Sequence, residues 1–223
     1  MIGGPPTGIA TTRFSPGGRW VAVGTGSALF FRPGETNQIH VWNVADGTRR
    51  HRFDGPPEIL CFSPDERTLV GADSAGHIQL WDLEGGPSRT LAGHPGQVPA
   101  LGFSPDGRQL ASGCAQGSAR VWDSATGALL ADLPVPGAGV LSVAFTPDGT
   151  RLLTGGIDGT IHLWDLQSQR SVGALRGHRR GVTSLAFRDR ETLISLGLDE
   201  IRTWHVLPGD APASVVPDSL PRP

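Results

Sequence analysis

Four of the seven histidines invite a chemical reading. His40 and His162 each stand two residues before a tryptophan, and His94 and His178 each follow a glycine. Imidazole serves acid-base catalysis near neutral pH and ligates zinc, but a zinc site needs several ligands at short, clustered spacing. None of these histidines has such neighbours, and Cys61 and Cys114 lie 53 positions apart, so neither a metal site nor a disulfide framework is expected. The slot of His40 and His162 holds Gln79, Arg120 and Arg202 before the other tryptophans, which reads as a polar strand position. Asp106, Asp148 and Asp158 fall in turns, and other aspartates directly follow a tryptophan, where repetition explains them. No nucleophile elbow, phosphate loop or dinucleotide fingerprint occurs. All 19 basic residues are Arg, which excludes a catalytic lysine. Catalytic residues, cofactors and metals are therefore all expected to be none.

The elements that carry these residues repeat. Trp42, Trp81, Trp122, Trp164 and Trp204 are spaced 39, 41, 42 and 40 residues apart, with only Trp20 outside the series. Phe14, Phe62, Phe103, Phe145 and Phe187 form a second series. Each precedes a turn: Ser15-Pro16-Gly17-Gly18, Ser63-Pro64-Asp65-Glu66, Ser104-Pro105-Asp106-Gly107, Thr146-Pro147-Asp148-Gly149 and the worn Arg188-Asp189-Arg190-Glu191. Ser or Thr caps such a turn, Pro presets φ, and Gly accepts a positive φ. Between the turns, alternating segments read as strands of about five residues with no competing helical period. Each unit has four, here a to d; in the third they are 98–103, 109–113, 119–122 and 129–133. The chain is expected to be all-β.

A four-stranded unit of about 40 residues closing on Leu80-Trp81-Asp82, Val121-Trp122-Asp123 and Leu163-Trp164-Asp165 is similar to the WD-repeat family of β-propellers. Val41-Trp42-Asn43, Thr203-Trp204-His205 and the pairs Gly93-His94 and Gly177-His178 add to the resemblance, which covers almost the whole chain. It implies five four-stranded antiparallel blades over 1–217, at about 9–53, 57–92, 98–133, 140–176 and 182–216, then a Pro-containing tail, 218–223. It also implies a buried network in each blade, joining the Trp indole, a strand-b hydroxyl, the His of Gly-His and an Asp of the b–c turn. Blade five has the full set, His178, Ser195, Asp199 and Trp204. Blade three has His94, Ser112 and Trp122 with Gln116 in the Asp place, and blade four has Thr154, Asp158 and Trp164 with Pro136 in the His place. Blades one and two keep only Trp42 and Trp81.

In blades three to five a d-strand residue stands 12 before the Phe, and the same count from Phe14 reaches Ile2. Eleven after Trp204 is Val215, so 213–216 is read as blade five's outer strand. Three readings stay open: a closed five-bladed ring, an open arc that pairs with another copy or partner, or part of a longer array, which the position of Ile2 favours.

The family commonly binds proteins or peptides on the face formed by the d–a and b–c loops. Two clusters there are candidate partner sites. Phe30, Phe31 and Arg32 lie in a b–c loop about nine residues longer than its equivalents, and either anchor a partner or fold back over blade one. Arg176, Arg179 and Arg180 lie around His178, with Gln97, Gln116, Ile157 and Leu198 on neighbouring loops; Arg179 and Arg180 either grip an anionic partner or form a solvated surface. The expected function is a non-catalytic scaffold for a protein or peptide, in the setting of a larger regulatory protein. Small-ligand or sugar binding between blades is the alternative, and an enzyme with a channel site a remote one. A net charge of −2 points to no nucleic acid, and no apolar run is long enough for a membrane helix. No signal peptide is read, which makes the cytoplasm the expected compartment; self-association is expected if the array is open.

Overall fold

The Phe-turn sequences fold as the side chains dictate. In the computed structural model, which describes residues 9–25, 38–55, 58–137 and 139–206, Ser104 Oγ donates to Asp106 Oδ1 at 2.6 Å and accepts the Gln109 N–H at 2.9 Å. Gly107 completes the turn at φ 72° with its N–H on the Ser104 carbonyl at 2.9 Å. Thr146, Asp148 and Gly149 repeat this geometry, with Gly149 at φ 73°. Ser63 and Asp65 do so as well, but there the left-handed position is taken by Glu66, at φ 60°. In the worn turn Asp189 substitutes for the capping hydroxyl and accepts the N–H groups of Glu191 and Thr192 at 3.0 and 2.8 Å. Those donors hold its carboxyl at a pKa of about 2.

The strands joined by these turns form five antiparallel sheets. The first contains β1 (Ile9–Phe14), β2 (Trp20–Thr25), β3 (Gln38–Asn43) and β4 (Arg49–Asp54). The second contains β5 (Ile59–Phe62), β6 (Thr68–Ala72), β7 (Ile78–Asp82) and β8 (Arg89–Leu91). The third contains β9 (Ala100–Phe103), β10 (Gln109–Cys114), β11 (Ser118–Asp123) and β12 (Leu129–Pro134). The fourth contains β13 (Val140–Phe145), β14 (Arg151–Gly156), β15 (Ile161–Asp165) and β16 (Arg170–Leu175). The fifth contains β17 (Val182–Phe187), β18 (Thr192–Gly197) and β19 (Ile201–His205), three strands among the described residues. The outer strand read at 213–216 lies outside the described residues, as do Ile2 and the first eight positions. Each WD-type tryptophan sits on its sheet's third strand, and where β3, β11 and β15 meet their outer strands the register shifts at that tryptophan. Among the described residues the chain is all-β, in four four-stranded sheets and one three-stranded sheet with the strand order of propeller blades.

The chain divides into two compact units, Met1–Leu101 and Gly102–Pro223. A single twisted sheet leaves apolar side chains on both faces, and stacking sheets buries them. In the first unit Ala22, Ile39 and Val41 of blade one pack with Leu60, Phe62, Leu69 and Trp81 of blade two. In the second, Ala111, Val121 and Leu133 of blade three pack with Val140, Phe145 and Trp164 of blade four. Leu153, Ile161 and Leu163 of blade four then pack with Val182, Leu193 and Trp204 of blade five.

Candidate functional site

Strand register decides what each tryptophan indole meets. Leu110 pairs Trp122, Leu152 pairs Trp164 and Leu193 pairs Trp204, so the strand-b hydroxyl two residues further on lies along the ring. The indole N–H donates to Ser112 Oγ at 2.8 Å, to Thr154 Oγ1 at 3.0 Å and to Ser195 Oγ at 2.7 Å.

Blade five extends this bond into a chain. His178, its side chain fully buried, places Nε2 2.7 Å from Ser195 Oγ and Nδ1 3.0 Å from Asp199 Oδ1. The carboxylate only accepts, so Nδ1–H donates to it; a neutral ring then accepts the Ser195 hydroxyl proton at Nε2. Asp199 Oδ2 accepts the Arg179 N–H at 2.8 Å. That N–H first, and His178 second, hold the Asp199 carboxyl at a pKa of about 2. The stability this contributes is present above the ordinary carboxylate pKa of about 3.9 and is lost as pH falls from there through about 2. His178, Asp199 and Glu200 place nitrogen and oxygen atoms within 4.8 Å of one another. Their donor atoms are committed to Ser195, the Arg179 N–H and Arg202, so the cluster is a hydrogen-bonded assembly. In blade four Asp158 instead accepts from the Thr160 N–H and hydroxyl at 2.9 and 3.0 Å. His94 is buried in the first unit, with its N–H on the Gly76 carbonyl at 3.0 Å.

These bonds set the loops at one end of blades four and five. The Ile157 N–H donates to the Gly139 carbonyl at 2.9 Å, and the Leu198 N–H to the Gly181 carbonyl at 3.1 Å. Both aliphatic side chains stay exposed, as do Arg179 and Arg180. Gly159, at φ 82°, lets the b–c turn of blade four lie against the backbone of His178 and Arg180. Ile157, Leu198, Arg179 and Arg180 therefore share one loop end, and Gln116 is exposed on the equivalent turn of blade three. Gln97 is exposed in the last loop of the first unit. Phe30, Phe31 and Arg32 lie outside the described residues.

Residues 85–123 and 127–165 match the family model of the WD domain, G-beta repeat. Residues 85–165 carry two WD repeats. No curated protein matches it. Each matched WD segment starts before the outer strand of one sheet and ends on the Trp-Asp of the next, so the sequence repeat is offset from the sheet by one strand.

Two features of the chain escape its repeat motifs. His40 and His162, expected at a polar strand position, are buried. Arg120 and Arg202 cross the neighbouring tryptophan ring, 6.0 and 5.9 Å from its centroid, and reach Asp132 and Glu200. The shorter imidazoles stop beside Trp42 and Trp164, at 5.4 and 6.2 Å, and each buries Nε2 without a hydrogen-bond partner among the described residues. Burial lowers the pKa of both; Arg49 and Arg52 lower His40 further, while for His162 Asp158 opposes and Arg176 assists. The stability of the neutral rings is full above the unfolded pKa of about 6.5 and declines as pH falls below it, because unfolded imidazoles take protons first. Unfolding measured at pH 8 and pH 5.5 should show this acid loss shrinking in His40→Gln/His162→Gln; an unchanged loss would assign it to other groups. The second feature is Asp73, which organises blade two's b–c turn through the Ala75 and His77 N–H groups and the His77 ring at 2.8 Å.

A cavity of about 250 Å³ lies in the first unit beside Phe53, Asp54, Gln79 and Trp81. Trp81 is buried and stacked on Phe53 with centroids 5.5 Å apart, so its ring face is already covered.

Proposed function

We propose that the chain is a non-catalytic interaction scaffold that holds a protein or peptide on the loop end of blades four and five. WD-repeat domains are typically protein-interaction scaffolds and usually non-catalytic. The observation that supports this reading is the pairing of exposed Ile157 and Leu198 with Arg179 and Arg180 on loops tied down by backbone bonds. Aliphatic contact area beside guanidinium groups suits a segment with an apolar side chain and a nearby carboxylate, which arginine binds through two parallel hydrogen bonds. The Arg179 N–H to Asp199 bond and the buried His178 limit the ordering entropy that binding must overcome. The cytoplasm is the proposed compartment, since two cysteines 53 positions apart in the sequence do not suggest a disulfide framework.

Peptides selected from a random library on the intact chain test this. Arg179→Ala/Arg180→Ala should weaken the selected binders about tenfold or more, and Leu198→Ala should weaken them by a similar factor, about 1–2 kcal/mol each. Binders that ignore both variants would place the interaction surface elsewhere.

A further inference from the structure

Inside each unit, consecutive blades meet through one kind of contact. The leading face of the later blade presents its strand-a Phe, the strand-b residue paired with it, the Trp and the residue two beyond the Trp. In blade two these are Phe62, Leu69, Trp81 and Leu83, none more than 7% exposed. Blade one has the same four positions, Phe14, Val21, Trp42 and Val44, fixed by the same pairing and by the same N–H bond, Val44 to Arg19 as Leu83 to Arg67. Here Phe14 is 65% exposed and Val44 46%, and Val21 and Trp42 are only half-buried.

The opposite face of blade five is bare in the same way. In blade four the trailing face consists of Leu153, Ile161 and Leu163, at most 3% exposed. Blade five carries Ile194, Ile201 and Thr203 at these places, with Leu196 where blade four has Gly155. Ile201 is 60% exposed, Leu196 43%, and the other two are half-buried. Exposed apolar side chains gathered on one sheet face, rather than scattered singly, are a mark of interaction sites.

We propose that the leading face of blade one takes the trailing face of blade five of a second copy, so that copies join head to tail. The contacts of blade one with two and of blade four with five already use these two halves of one interface, and the bare faces are one half each. Two leading faces, or two trailing faces, have no counterpart in any of these contacts. The association is heterologous, so each copy keeps one open half until a ring closes or a chain grows. The surface is distinct from the loop end that holds Arg179 and Leu198.

Light scattering during size-exclusion chromatography of the intact chain tests the proposal. The wild type should show species above the 23.4 kDa protomer that grow with concentration. Phe14→Asp and Ile201→Asp should each run as monomers, since each removes one half. An equimolar mixture of the two should recover a discrete 1:1 dimer of about twice the protomer mass, because one intact interface remains. Val44→Glu with Leu196→Glu gives a second pair on the same faces should either first variant lose its β-sheet circular dichroism. A wild type that stays monomeric at every concentration would overturn the proposal, as would variants that still associate alone or fail to pair when mixed.

Discussion

Replacing Ser195 by Ala should destabilise the chain by about 4 kcal/mol, roughly twice the cost of Thr154→Val in the neighbouring blade. Both hydroxyls accept a tryptophan indole N–H, from Trp204 at 2.7 Å and Trp164 at 3.0 Å. Ser195 has a second partner, His178 Nε2 at 2.7 Å, and both are buried. Its removal leaves two buried polar groups unpaired, whereas Thr154→Val leaves the Trp164 indole alone while keeping the side chain's shape. Each orphaned group costs about 1–3 kcal/mol, so the count of orphans decides the ratio. Both residues lie in the unit Gly102–Pro223, so urea unfolding followed by tryptophan fluorescence compares them on one transition. Equal midpoint shifts would mean that the His178 bond adds nothing to the indole bond.

The sheets were legible because two signals agreed on one period. Trp every 39 to 42 residues marked each third strand, and a capped Pro turn after each Phe marked the hairpin between strands a and b. In blade three the expected 98–103, 109–113, 119–122 and 129–133 compare with Ala100–Phe103, Gln109–Cys114, Ser118–Asp123 and Leu129–Pro134, no end differing by more than two residues. Turn chemistry was less transferable than turn position. Glu66 stands at φ 60° where glycine serves elsewhere, because the Ser63 and Asp65 bonds hold the turn regardless. Burial on the strand faces was the least legible. A one-residue code treats His162 and Arg120 alike, yet side-chain length sends one under the tryptophan and the other across it to an acid. The same code makes Phe14 the equal of Phe62, although one is 65% and the other 6% exposed. Repeat position states which face a side chain is on; only the neighbouring sheet determines whether that face is covered. On the loop end, sequence position brought Ile157, Leu198, Arg179 and Arg180 to adjoining loops, while their shared exposure depends on backbone bonds to Gly139 and Gly181.

Those backbone contacts make Gly159 the position where fold and loop end are coupled most tightly. At φ 82° it occupies the left-handed region, where any other L-residue carries a steric cost of about 1–2 kcal/mol. A Cβ there would also stand 2.5 Å from the His178 carbonyl oxygen and 3.0 Å from that of Arg180. Backbone cannot rotate away as a flexible side chain can, so the d–a loop into blade five must shift. Gly159→Ala should therefore cost about 3 kcal/mol, combining the dihedral penalty with the displaced loop. Gly173, on β16, is the matched control, since a Cβ there meets nothing within 4 Å and its φ is not positive. Gly173→Ala should be neutral or stabilising by up to about 1 kcal/mol, because it removes chain entropy from the unfolded state alone. Because the displaced carbonyls bracket Arg179, the Gly159 variant should also weaken peptides selected on the loop end, with Gly173→Ala leaving them unchanged. Thermal unfolding separates the two variants first; a Gly159→Ala chain as stable as Gly173→Ala would show that the loops are not packed backbone to backbone, and the proposed binding surface would lose its physical basis.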